Sequence, residues 1–128
     1  MQGLNKAYLI GHIGRDPEAR VTASGLDVAI VALATPRSVK QADGWVDTTD
    51  WHRLTAFGKN AQYLVKYAKK GGSMAVECTL RPNRWTDKNN ITHHDMTIRI
   101  ERVLWLTNKG DAAVGEPPTD THEGPEEE

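Results

Sequence analysis

One short stretch of helical periodicity, set between strand-like segments, limits the folds open to this chain more than any other feature. Ala61, Leu64, Val65 and Ala68 recur at helical spacing, Asn60, Gln62, Lys66 and Lys69 lie on the other side, and Gly71-Gly72 supplies a stop. The apolar segments on either side read as strands. Ala7–Ile13 is rich in strand formers and closes on Gly14 and Asp16-Pro17; after a Ser24-Gly25 turn, Leu26–Thr35 is β-branched and almost continuously apolar, and Pro36 is expected to end it. The stretch from Arg37 to Thr48, with Asp43-Gly44 in its middle, reads as a long exposed hairpin loop. Thr49–Phe57 follows as a third strand, Ser73–Leu80 as a fourth and Ile91–Leu106 as a fifth, with Arg81–Asn90 forming a hairpin between the last two.

Three strands, a helix and two strands is the order of an all-β, five-stranded oligonucleotide-binding (OB) fold, a partly open barrel with one short α-helix between strands 3 and 4. At 128 residues the chain fits one such core with a tail. Residues 1–106 are the expected domain. Residues 107–128 contain three Pro and one Val, too little apolar area to offset ordering entropy, and are expected to form a disordered acidic C-terminal tail.

Charge sharpens this division. Residues 1–110 hold all 16 Lys and Arg against 10 Asp and Glu, a balance of +6, while residues 111–128 hold 7 acids and no Lys or Arg. A basic body favours a polyanion, and an acidic tail can compete with that ligand or recruit basic partners. The longest apolar run, Val28–Ala34, falls far below the roughly 18 residues of a membrane span, and the first residues carry no signal-peptide pattern. No membrane partner is therefore expected, and the expected location is cytoplasmic. The single cysteine, Cys78, has no disulfide partner within the chain and reads as a small buried residue.

Alternation along Thr49–Phe57 separates two surfaces. Trp51, Arg53, Thr55 and Phe57 share one side, and His52, Leu54 and Ala56 share the other, where they can face a core. Two aromatics and a cation thus line one face. His93-His94 is no metal pair, because strand neighbours point opposite ways and no spaced Cys or His completes a site. No nucleophile–base constellation or phosphate-binding glycine loop is present, so neither catalytic residues nor a cofactor are expected. Trp105, on the apolar run Val103–Leu106, reads as core or interface.

Motifs in a fixed order extend the reading: Asn5-Lys6 with Leu9-Ile10-Gly11, Gly14-Arg15-Asp16-Pro17-Glu18-Ala19-Arg20, Leu33-Ala34-Thr35, Thr49-Asp50-Trp51-His52-Arg53 with Phe57-Gly58-Lys59, Lys70-Gly71, and Leu80-Arg81 with Arg84-Trp85-Thr86-Asp87. In these residues the chain resembles the bacterial single-stranded DNA-binding protein (SSB) family over nearly its whole body. The resemblance implies sequence-tolerant binding and protection of single-stranded DNA in replication, recombination and repair. It also implies a homotetramer, with a dimer as the alternative, and a nucleoid-associated location. The family's stacking aromatics fall on Trp51, Phe57 and Trp85, and its phosphate-contacting cations on Lys6, Arg20, Arg53, Lys59, Lys70, Arg81 and Arg84. A further aromatic position falls on Val39, for which Trp45 is a candidate replacement, and His52 sits where members bury a histidine near a subunit interface.

Members of the family end in acidic residues followed by an apolar tip that docks on repair enzymes, whereas this chain ends Gly-Pro-Glu-Glu-Glu. Weak or absent tail docking is expected, as in a phage- or mobile-element-type member. Two other readings compete: a primosomal or recombination accessory protein that uses the barrel chiefly as a protein adaptor, and an oligosaccharide-binding barrel. The first tolerates loss of the aromatic face, and the second needs no cation set.

Overall fold

In the computed structural model, which describes residues 2–108, seven elements follow one another: β1 (Ala7–Ile13), β2 (Glu18–Val21), β3 (Asp27–Gln41), β4 (Gly44–Phe57), α1 (Lys59–Tyr67), β5 (Ser73–Thr86) and β6 (Thr92–Thr107). The strands form one sheet in the order β1-β5-β6-β4-β3-β2, and β1 also pairs with β3 through His12↔Ala34 and Ile13↔Leu33. That last pairing closes the sheet into a barrel. A short parallel contact, Leu54↔Ile98 and Thr55↔Arg99, joins β4 to β6. The expected all-β barrel with one helix between its third and fourth long strands is thus the architecture found.

Closure depends on a missing side chain. A Cβ on Gly11 would stand 2.2 Å from the backbone oxygen of Ala34, so β1 can cross β3 at this distance only as glycine. Inside the barrel, Ile13, Val31, Leu33, Leu54, Met74, Val76, Ile100, Val103 and Leu106 are fully buried, and Leu64 and Ala68 of the helical segment plug one end. Cys78 lies among them, and burial pushes its thiol up to about 12, so at neutral pH it stays protonated and packs as an apolar residue.

Several elements depart from the sequence expectation. The stretch 37–48 is not a loop: β3 runs through Pro36 to Gln41 and β4 begins at Gly44, in continuous register from Val28↔Phe57 to Gln41↔Gly44. Beyond Thr35, β3 has only β4 as a neighbour, so a Pro there removes no bond when its ring faces the open edge. The Arg81–Asn90 hairpin is likewise mostly strand, paired out to Thr86↔Thr92. Its turn is built on Asp87, whose Oδ1 accepts the N–H groups of Asn89 and Ile91, and Asn90 adopts φ 65°. β2 was not anticipated, because every one of its side chains is exposed. In the helix, Tyr63 takes the buried position expected of Val65, which is exposed.

Candidate nucleic-acid interface

The outer face of β4 carries the expected alternation. Leu54 and Ala56 are fully buried in the barrel, while Trp51 and Arg53 are exposed and Phe57 is half-buried. Each ring is held from one side. Trp51 is 62% exposed, yet its indole lies against Gly14, where a Cβ would meet the ring at 2.3 Å. The Arg99 guanidinium sits 4.7 Å from the Phe57 ring centroid. Trp85 stacks on its cross-strand partner His93, with centroids 4.2 Å apart and planes at 20°, and remains 53% exposed. His93 Nε2 in turn donates to Asp87 Oδ2 at 2.8 Å. That bond, with the backbone N–H groups of Ile91 and Asn89, holds the Asp87 carboxyl below the usual carboxylate range.

The cations divide by their partners. Arg53, Lys59 and Lys70 carry no ion pair among the described residues, although the Lys70 backbone N–H is accepted by Asp16 at 2.8 Å. Arg53 lies between Trp51 and Phe57 on β4, Lys59 follows Phe57 by two residues, and Lys70 precedes Gly71, whose N–H reaches Ile13 beside Gly14. Lys6 is paired with Glu77 at 2.7 Å, and Arg81 with Glu101 at 3.4 Å. Arg20 is closed by Glu18 and lines a groove of about 350 Å³ between β2 and α1. Arg84 pairs across the ribbon with His94, on the opposite ribbon face from Trp85. The structure therefore gathers Trp51, Arg53 and Phe57 with Arg81 and Trp85, and leaves Arg20 and Arg84 off that face.

Sequence reasoning missed Arg99, Thr79 and Glu101. Thr79↔Arg99 is a cross-strand pair, and Arg99 also lies beside Thr55 through the parallel β4–β6 contact. The available signal was that Ile98 and Ile100 flank Arg99 and turn it outward; the pairing that brings it to Phe57 has no local signature. At the distal end of the β3–β4 ribbon, Trp45 is 69% exposed and, by alternation, on the ribbon face of Trp51, whereas Val39 pairs with Val46 on the other. His52 is half-buried, its Nε2 2.9 Å from Thr35 Oγ1. Trp105 is 39% exposed and therefore no core residue. Among the described residues no cluster of His, Cys, Asp and Glu could hold a metal, and no helix is long and apolar enough to cross a membrane.

Comparison with known proteins gives a consistent set. The family model described as "Single-strand binding protein family" matches residues 4–106. The chain is 45% identical over 87 residues to "Single-stranded DNA-binding protein 1" of Chlorobaculum tepidum, covering 67% of this chain and 54% of the relative. It is 32% identical over 111 residues to "Single-stranded DNA-binding protein" of Xanthomonas axonopodis pv. citri, covering 86% of this chain and 62% of the relative. The chain thus spans 54% and 62% of the lengths of these two relatives. A solved Plasmodium falciparum SSB complex with ssDNA is similar at a TM-score of 0.65 and 29% identity, over 77% of this chain and 88% of that one.

Proposed function

The chain belongs to the single-strand binding protein family, and from that premise we propose that it binds single-stranded DNA without sequence preference and serves to protect it in replication, recombination and repair. One observation carries the reading: Trp51, held at one ring edge by Gly14, and Trp85, stacked on His93, remain 62% and 53% exposed, on a surface that also holds Arg53, which carries no ion pair among the described residues. A binder of any strand cannot depend on base edges, which differ, but every base has a π face. Rings already held in place are ready to stack without being ordered first. The relatives are described as single-stranded DNA-binding proteins, and no catalytic role is proposed for this chain. Tail disorder and tail docking concern residues outside those described.

Titration with oligo-dT of increasing length tests the reading. Trp fluorescence should be quenched with a defined site size, and affinity should fall as salt rises, with a slope of about −0.7 per neutralised phosphate. Unchanged fluorescence with no mobility shift, or an affinity indifferent to salt, rejects it.

Assembly is part of the same proposal. Tyr8 and Ile10 are 63% and 64% exposed on the outer face of β1, and the registers Ile10↔Ala75 and Ala75↔Trp105 set Ile10 and the 39% exposed Trp105 on either side of a buried Ala75. Large exposed apolar side chains grouped in this way mark a protein interface. A second copy of the chain fits it, with the homotetramer as the proposed state and His52 near an interface. Sedimentation equilibrium should give a multiple of the 14.2 kDa chain mass, and a monomer at micromolar concentration rejects this part.

A further inference from the structure

Resting on that reading, we infer that Thr79, Arg81 and Arg99 form a subsite for one backbone phosphate of the bound strand, and that the Glu101 carboxylate occupies this subsite in the free protein. The three side chains converge on a single oxygen. Glu101 Oε2 accepts from Thr79 Oγ1 at 2.8 Å and lies 3.4 Å from Arg81 Nη2 and 3.6 Å from Arg99 Nε. Arg81 Nε also donates to Thr79 Oγ1 at 3.2 Å, which ties the donors to one another. Two guanidinium groups and a hydroxyl around one anionic oxygen is the chemistry that recognises a phosphodiester.

Its position is where a strand crossing the face must pass. Arg99 covers one side of the Phe57 ring, and Arg81 stands on β5 four residues before Trp85, on the same strand face. Glu101 reaches the subsite because the β5–β6 register slips between Glu77 and Cys78: Glu77 pairs with Arg102 and Cys78 with Ile100, so Glu101 has no cross-strand partner. A bulge of this kind re-aims a side chain.

The arginine contacts are loose. Charge-assisted N–H···O bonds close to about 2.7–2.9 Å, and Arg37 and Asp50 reach 2.7 Å in this structure, whereas Arg81 and Arg99 stop at 3.4 and 3.6 Å. Glu101 collects both guanidiniums without clamping either. Beside it, Lys6 and Arg102 share Glu77, which brings two further cations to the edge of the group. Glu101 then acts as an internal competitor. It keeps two arginines ordered in the absence of DNA, and it lowers the affinity that they would otherwise give.

Glu101→Gln keeps the shape and an acceptor for Thr79 while removing the charge. It should bind oligo-dT roughly 3- to 10-fold more tightly at low salt, as expected for losing two partly exposed ion pairs. The gain should shrink with salt, and the log–log salt slope should steepen by up to about 1.4, two contacts at ~0.7 each. Adding Glu101→Gln to an Arg81→Gln/Arg99→Gln protein should give no gain. Glu18→Gln, which removes a carboxylate elsewhere, should give little. Unchanged or weaker binding by folded Glu101→Gln, or an equal gain in the double-arginine variant or from Glu18→Gln, overturns the inference; Glu101→Ala is read in the same way should the Gln variant fold poorly. Such a result with a wild-type protein that binds oligo-dT leaves the proposed function standing. Failure of the wild type to bind removes both.

Discussion

Alanine at both Trp51 and Trp85 is expected to weaken oligo-dT binding by roughly 30-fold to 20,000-fold, since each base–aromatic stack contributes about 1–3 kcal/mol. The two rings stand on different strands and are backed by different groups, Gly14 for one and His93 for the other, so their losses should be nearly additive. Neither ring is part of the barrel core, so the urea midpoint should hardly move. Because Trp45 and Trp105 remain, affinity is best read from the anisotropy of a labelled strand rather than from intrinsic fluorescence. An affinity within threefold of wild type would transfer the function to the adaptor reading, in which the aromatic face is dispensable.

The second large effect is on stability. Gly11→Ala places a methyl group 2.2 Å from the Ala34 oxygen and 3.2 Å from Leu33 Cγ, and backbone oxygen cannot turn aside as a flexible side chain can. β1 must retreat from β3, straining the two residue pairs that close the barrel. The expected loss is about 3 kcal/mol, at the upper end for overpacking, and roughly 10 °C or more in Tm for a domain of this size. Against a total stability of about 5–15 kcal/mol, that is a large share. A Tm within a few degrees of wild type would show that β1 and β3 need not approach so closely.

What the sequence disclosed follows from where side-chain pattern carries information. Ala61, Leu64 and Ala68 announced the helix because they are buried on one stripe, and Leu54 and Ala56 fixed the faces of β4 because they are buried on one side. The two ribbons and β2 have almost no buried side to create such a pattern; they are held by backbone ladders, which leave no mark on residue type. Pro36 and Asp43-Gly44 therefore read as a loop. In the site, alternation found Trp51, Arg53 and Phe57. It could not find Arg99, whose neighbour on β4 is distant in the chain and joined by a parallel contact of two residue pairs. Arg84 entered through the family resemblance, and as the chain neighbour of Trp85 on a strand it faces the other way.

The ribbons give the face a gradient of compliance. Phe57 stands on barrel strand beside Ala56 and Leu54, whereas the outer parts of β5 and β6, from Pro82 to Thr86 and from Thr92 to Met96, have no buried side chain beneath them, and Trp85 rides there. A two-stranded ribbon without a core bends and twists at small cost, because its shape is set only by a hydrogen-bond ladder. Single-stranded DNA has no fixed rise between bases. Under the proposed function, one anchored ring and one yielding ring follow that irregular spacing, with the adjustment taken up in the protein rather than in strained stacking. His93 and Asp87 keep the yielding end from fraying, so the indole travels with its arm instead of rotating free of it.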